Sequence, residues 1–204
     1  MNRYLLCLFA GLLTMASCGG SPKPAATEVK TEAPAEPVTG RFAMNQMYVA
    51  ARAWAADLQP LSLANIPLMK FPQKEGKAMA WQAVFVSPSQ QKARTYIYSA
   101  VTSGSDVTQG ITPGVAEAYT VQATESAFIM AAIQKDSDNV YETAVKHSEE
   151  YRKKYPQMAI NFRLEKTREF PDPAWRVFWG DSVATSGFSV YVDASTGEFL
   201  RTGR

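Results

Sequence analysis

The chain of 204 residues contains little cysteine, one histidine and no excess of charge of either sign. Its 21 lysines and arginines nearly balance its 19 aspartates and glutamates, so no basic stripe is available to neutralise nucleic-acid phosphates. The histidine, His147, lies on the edge of a predicted helix with no neighbouring nucleophile, and zinc-ligand spacing is missing. We therefore expect no nucleic-acid partner, no metal, no cofactor and no catalytic residue.

Thiols and long apolar runs are confined to the start of the chain. Its two cysteines are Cys7 and Cys18, so the remainder has no disulfide and must be stabilised by a hydrophobic core. The apolar run of residues 4–15 is shorter than the roughly 20 residues that span a bilayer. It follows a basic residue, Arg3, and precedes small residues, which is the order of an export signal.

The residues at the end of this run, Met15-Ala16-Ser17-Cys18, resemble the lipobox of bacterial lipoproteins, with Met15 in place of the more usual leucine. The resemblance implies that residues 1–17 are a signal peptide and that Cys18 becomes the acylated mature N-terminus, anchored in the lipid bilayer. Gly19 replaces the aspartate of the inner-membrane retention rule, which favours the outer membrane, facing the periplasm. A plain secretory signal and a retained membrane anchor are the alternatives.

Residues 18–40 comprise this cysteine and a segment with four prolines and no aromatic residue. Such a composition cannot bury enough apolar surface to offset chain entropy, and its prolines favour extended conformations. The sequence therefore predicts a flexible tether between the lipid anchor and a folded region.

The remainder predicts an α+β fold in which helix and strands alternate twice. The first pass has a helix at 43–58, a loop at 59–78 and strands at 80–87 and 93–101. The second has a helix from Asp136 to before Pro156 and strands at 158–166, 174–181 and 187–194. The glycine-rich segment 110–114 is interpreted as a turn, and the apolar run 128–133 fits either a helix or a strand.

The two passes align with an offset of 94 residues. This alignment places Trp81 on Trp175 and Tyr98 on Val192, and it predicts tandem repeats at 41–123 and 124–204, each a helix on an antiparallel sheet. The alternative is that two unrelated aromatic hairpins share the pattern.

The C-terminal residues 173–201 resemble the end of PepSY domains, in which a strand bearing a tryptophan precedes a strand ending V-D-A-x-T-G-E. The resemblance implies a small α+β fold that binds or restrains another protein, such as a protease, without catalysis. The matching positions here are Trp175, Val192, Asp193, Ala194, Thr196, Gly197, Glu198 and Leu200.

Alternation along the last strands turns Arg176, Phe178 and Tyr191 away from the predicted helix. Arginine and aromatic residues are enriched in protein interfaces, so these three are the predicted partner-binding residues, unless the repeats or loops cover them. The leading hypothesis is a non-enzymatic, membrane-anchored envelope lipoprotein that binds a protein. The competing classes are a cystatin-like or NTF2-like module for a small-molecule or cell-wall ligand, and a hydrolase with a carboxylate pair.

Overall fold

A computed structural model describes residues 35–71, 73–119 and 126–203 of the chain, so Cys18 and the predicted signal peptide lie outside the described residues. Residues 34–204 form one compact unit. Its helices are α1 (Gly40–Ala51), α2 (Ser137–Lys146) and α3 (Glu149–Lys154), with a short 3-10 turn at Met130–Ala132. Its strands are β1 (Val38–Thr39), β2 (Gln59–Asn65), β3 (Lys77–Ala78), β4 (Ala80–Ser87), β5 (Lys92–Ser99), β6 (Gly110–Ala118), β7 (Ile160–Glu165), β8 (Ala174–Trp179), β9 (Phe188–Asp193) and β10 (Phe199–Gly203).

Eight of these strands form one antiparallel sheet in the order β10-β9-β8-β7-β2-β4-β5-β6, while β1 and β3 form a separate two-stranded ribbon. Each half of the chain supplies one side of the large sheet, and β2 pairs with β7 in the middle. The fold is thus α+β, as the sequence predicts, with far more strand than helix.

The hydrophobic core lies between the helices and one face of the sheet, here called the inner face. Helix α1 packs on β4 and β5, and α2 packs on β8 and β9. The indole rings of Trp81 and Trp175 are fully buried and meet edge to face, with centroids 6.5 Å apart. At roughly 25 cal/mol per Å² of apolar surface, two such side chains make a large share of the core's stabilisation.

The N-termini of the two long helices meet above this pair of tryptophans. The Gly40 amide donates to Ser137 Oγ at 2.8 Å, and the Arg41 amide donates to Asp136 Oδ1 at 2.8 Å. Asp136 also accepts from the Ser137 amide, so it caps α2 as the sequence predicts. These bonds hold the two halves of the compact unit against each other.

The predicted loop at 59–78 is wrong over its first residues, because Gln59–Asn65 forms the central strand β2. The helix predicted at 43–58 is observed as α1, which begins at Gly40 and already ends at Ala51. A strand interior tolerates Pro60 because the β2–β4 register shifts between Pro60 and Ser62, and the recorded pairing with β7 begins only at Ser62.

Three other local predictions also change. The glycine-rich segment 110–114 lies in the edge strand β6 and is not a turn; Pro113 is tolerated there because β6 is an outermost strand and carries a bulge directly after Pro113. The second predicted helix is divided at His147 and Ser148 into α2 and α3. Residues 38–40, predicted as the end of the tether, form β1 and the first residue of α1.

Candidate functional site

The candidate binding surface lies on the outer face of the sheet, opposite the helices. Strand pairing aligns Arg163, Arg176, Tyr191 and Arg201 across β7, β8, β9 and β10. Phe170, from the connection between β7 and β8, packs on Tyr191 with ring centroids 5.1 Å apart. We call these five residues the arginine–aromatic row.

From Arg176 to Arg201, guanidinium groups and rings alternate along this row. The Arg176 Cζ atom lies 5.5 Å from the Tyr191 ring centroid, and the Arg201 Cζ atom lies 4.9 Å from the same centroid. Arg201 also lies 5.8 Å from the Phe170 ring centroid. Each such cation–π contact contributes about 0.5–1 kcal/mol at an exposed site, and together they order side chains that would otherwise be mobile.

Arg176 also fixes the loop that follows β8. Its Nη2 donates to the Val183 carbonyl at 3.3 Å and to Ser186 Oγ at 3.2 Å, while its Nε donates to Ser189 Oγ at 2.9 Å. All of these acceptors are neutral. The loop therefore lies against the outer face at this position.

The three predicted partner-binding residues lie together, but their exposure differs. Arg176 and Tyr191 are half-buried, whereas Phe178 is only 6% exposed. Arg176 Cζ lies 6.0 Å from the Phe178 ring centroid. Phe178 therefore supports Arg176 from below, and the accessible part of the row extends instead toward Arg201.

The carboxylates of the outer face pair with two of its arginines. Glu165 lies 2.6 Å from Arg163 Nε, and Glu169 lies 2.5 Å from Arg201 Nη2. Arg176 has no carboxylate within ion-pair distance in the part of the chain that the structure describes. The row therefore presents one uncompensated positive charge between aromatic rings.

A groove of about 370 Å³ borders the row on its β7 side. Its walls are the outer face and the loop that Arg176 holds, and its lining includes Pro67, Arg163, Phe178, Asp181 and Val183. A single side chain of a partner fits a space of this size, which is the form that energetic anchors take in protein interfaces.

The first half of the sheet differs from the second on this face. Its outer-face positions include Val84, Val86 and Ile97; Val86 is fully buried and the other two are half-buried. The described part of this half contributes no arginine to the row, so the candidate surface belongs to the C-terminal half.

A separate pocket of about 400 Å³ lies at the end of the sheet, between the connection from β2 to β3, helix α2 and the start of β7. Most of its lining is apolar. The pocket is lined by Pro67, Leu68, Met69, Phe71, Gln73, Glu75, Gly76, Tyr141, Met158, Ala159, Ile160, Asn161 and Phe162.

Buried amides form the polar floor beside this pocket. Asn161 is 3% exposed, and its Oδ1 accepts from Asn65 Nδ2 at 2.8 Å and from Gln73 Nε2 at 3.1 Å. Asn161 Nδ2 in turn donates to the Gly180 carbonyl at 2.7 Å. This network ties the loop before β3 to the central strands.

The next question is whether the residues considered for catalysis or metal binding lie in a site suited to either. His147 is exposed and stacks on Phe199 with centroids 3.8 Å apart. No cluster of three or more His, Cys, Asp or Glu side chains is suitable for a metal within the described ranges.

The pKa values of two carboxyl groups depart from their ordinary range. Hydrogen bonds from the Ser87 hydroxyl and the Ser89 amide lower the pKa of Asp57. The hydrogen bond from Lys153, with its charge, lowers the pKa of Glu149. The general acid of a glycosidase needs a shift in the opposite direction.

Sequence reasoning missed Arg163, Phe170 and Arg201 of the row, and Glu169 beside it. Phe170 and Glu169 belong to a connection with no periodicity, and Arg201 belongs to a last strand whose register cannot be read from so few residues. Alternation from Tyr191 across a tight hairpin is the signal that could have identified Arg201.

The chain resembles a solved protein in its fold, whereas comparisons of its sequence find no match. No protein-family model matches the chain, and no curated protein matches it. A crystal structure of a candidate lipoprotein from Clostridium difficile superposes with a TM-score of 0.50 at 11% identity, covering 80% of this chain and 93% of that one. At that identity the likeness is one of fold. Among the described helices, none has the length and apolarity needed to cross a membrane.

Proposed function

We propose that the chain is a lipid-anchored protein of the bacterial cell envelope whose folded domain binds another protein without catalysis. The lipobox resemblance ending at Cys18 supports the anchor, and the similarly folded protein is itself described as a candidate lipoprotein. Gly19 favours the outer membrane, with the domain facing the periplasm.

The observation that carries the binding function is the arginine–aromatic row. Tyrosine and arginine are among the residues that most often dominate binding energy, and here they are ordered before a partner arrives. The uncompensated charge of Arg176 suits a partner that presents a carboxylate flanked by apolar groups. The resemblance of the last strands to PepSY domains supports the same class of role, restraint of a partner such as a protease.

We further infer that the two halves arose by duplication of one α+β unit. The Trp81 indole donates to the Val38 carbonyl at 3.0 Å, and the Trp175 indole donates to the Lys135 carbonyl at 3.1 Å. Each carbonyl lies two residues before the first residue of a helix, α1 or α2. A chance similarity of two aromatic hairpins does not require this shared bond, whereas descent from one unit explains it.

Site-specific photo-crosslinking in intact cells tests the binding surface. A benzoyl-phenylalanine at position 168, exposed beside the row, is expected to capture a protein, while the same residue at exposed position 45 of α1 is not. Capture from position 168 should be lost in a Tyr191→Ala, Arg201→Ala variant that retains its thermal midpoint. An Arg52→Ala variant, which removes one exposed arginine on the helix side, is the matched control and should keep the product.

Three results would contradict this function: no product at either position, equal products at both, or a product that survives the double substitution. The anchor has its own test. Cys18→Ser should abolish acyl labelling and release the protein from the membrane fraction, and a labelled Cys18→Ser protein would exclude the lipobox assignment.

A further inference from the structure

We infer that the pocket between α2, the start of β7 and the loop before β3 binds a mainly apolar small molecule whose polar end donates hydrogen bonds and carries no negative charge. This goes beyond the proposed protein-binding function, because no residue of the arginine–aromatic row lines the pocket; the groove beside the row shares only Pro67, Asn161 and Phe162 with it. Its volume of about 400 Å³ lies within the range of small-molecule sites.

The pocket has fixed walls. Ser137 Oγ donates to the Gly76 carbonyl at 2.6 Å, which ties the far end of the loop to the start of α2. A Cβ atom at Gly76 would lie 2.4 Å from the Ser137 carbonyl oxygen, and this glycine has a φ of +82°, so the close approach requires glycine. At the other side, Gln73 is held by Asn161 of β7. The loop is therefore held beside the sheet by hydrogen bonds and does not collapse onto it.

The apolar lining determines the body of the ligand. Leu68, Phe71, Ile160 and Phe162 contribute aliphatic and aromatic surface, and Met158 lies at the opening with 38% of its surface exposed. Met69 is fully exposed on the loop. Methionine adapts its shape to different apolar partners, and its exposure at the mouth of an apolar pocket favours an apolar guest over water.

The polar groups of the lining determine the other end of the ligand. Glu75 contributes a carboxylate, and no lysine or arginine belongs to the lining among the described residues. Gln73 uses its amide nitrogen for Asn161, and its Oε1 is buried with no hydrogen-bond partner in the described structure. Leaving a buried acceptor unpaired is unfavourable, and a donor on the ligand satisfies it as the loop adjusts. These two acceptors favour a donor on the ligand and, without a cation, disfavour an anion; the Tyr141 hydroxyl in the lining can donate or accept and does not discriminate.

Fluorescence titration with N-phenyl-1-naphthylamine, a neutral apolar probe, tests the site. The protein is residues 19–204, which contain the whole compact unit and no acyl chain. Saturable binding is expected in the wild type, and Ala159→Phe, which fills the pocket from a lining residue, should raise the Kd at least about ten-fold. Ala118→Phe on edge strand β6, also exposed, is the matched control and should leave the Kd unchanged.

Displacement of the probe identifies the polar end of the ligand. At pH 8, 1-decanol and decylamine should displace the probe at lower concentration than decanoate. Gln73→Leu should lower the affinity for 1-decanol more than the affinity for the probe. Met158→Glu provides a second block at the mouth should Ala159→Phe lose its near-UV circular dichroism. Three results would each overturn the proposal. They are no saturable binding of the probe to the wild type, a wild-type Kd in both Ala159→Phe and Met158→Glu, and displacement of the probe by decanoate at lower concentration than by 1-decanol or decylamine.

Discussion

Replacement of Gly40 by alanine tests how the two halves of the protein meet. Gly40 is the first residue of α1 and is buried against the tryptophan pair. A Cβ atom there would lie 2.8 Å from Cη2 of Trp175 and 3.1 Å from Cη2 of Trp81, so both indoles must move. Both rings are fully buried and hydrogen-bonded through Nε1, so they have little freedom to yield.

Two opposing effects determine the size of the change. Overpacking a tight core costs typically about 1–3 kcal/mol. Alanine gains up to about 1 kcal/mol over glycine within a helix, and less at its first residue. We therefore expect Gly40→Ala to lower the free energy of unfolding by about 1–2 kcal/mol. For a domain of this size each kcal/mol shifts the thermal midpoint by about 2–4 °C, so the expected fall is about 2–8 °C.

Urea unfolding of residues 19–204, followed by tryptophan fluorescence, measures the effect. Asn45→Ala is the control, because position 45 is exposed on the same helix and reports helix propensity alone. It should raise stability by a few tenths of a kcal/mol. If Gly40→Ala is as stable as the wild type or more stable, the close contact between the helix start and the tryptophans does not exist, and the argument for the packed junction fails.

Two further predictions follow from the same structure. Residues 126–204 alone should show no cooperative unfolding transition, because β7 loses its partner β2 and Trp175 loses its cover; a sharp transition by circular dichroism would show instead an autonomous repeat. The lowered pKa of Asp57 means that its bonds to Ser87 and Ser89 contribute stability above the ordinary carboxyl range and lose it as pH falls through the lowered pKa. The stability difference between wild type and Asp57→Asn should therefore shrink on acidification from pH 6 to pH 3, and a difference independent of pH would contradict the assignment.

The strands that were predicted well are those with aromatic residues on the inner face. Strand β4 was predicted at its observed bounds, and Trp175, Val177 and Trp179 of β8 all lie in the core. Large aromatic residues at every second position predict a strand clearly, because a strand with one buried face has a side-chain period of two. Gly197 has a φ of +79° in the final hairpin, the left-handed conformation that glycine adopts readily.

The two long strands that the sequence does not predict, β2 and β6, contain proline or glycine. Pro60 lies before the part of β2 that pairs with β7, and Pro113 lies on the outermost strand. Single-sequence rules count such residues against a strand, because the rules cannot know which backbone groups are paired. The sequence therefore predicts a loop where the central strand β2 lies, and it does not predict the β2–β7 pairing that joins the two halves.

The pocket could not be predicted at all, since the bonds that form it join residues far apart in the chain. Gln73 and Asn161 are 88 residues apart, and Gly76 and Ser137 are 61 apart. Neither pair carries a local pattern. The row was predicted in part, because alternation within β8 and β9 identifies Arg176 and Tyr191, while Phe170 joins it only through the tertiary fold.

Under the inferred duplication, the two candidate sites occupy corresponding positions in the two halves. The connection from β2 to β4 spans residues 66–79, and the corresponding connection from β7 to β8 spans only residues 166–173. The longer one forms a wall of the apolar pocket, and the shorter one places Phe170 and Glu169 beside Arg201. Under the inferred duplication, both sites derive from one ancestral connection that has diverged in length and chemistry. Loops are where a duplicated fold acquires separate functions, because they change without disturbing the core. The pocket and the row are therefore expected to respond to separate substitutions, and a change in one should leave binding at the other intact.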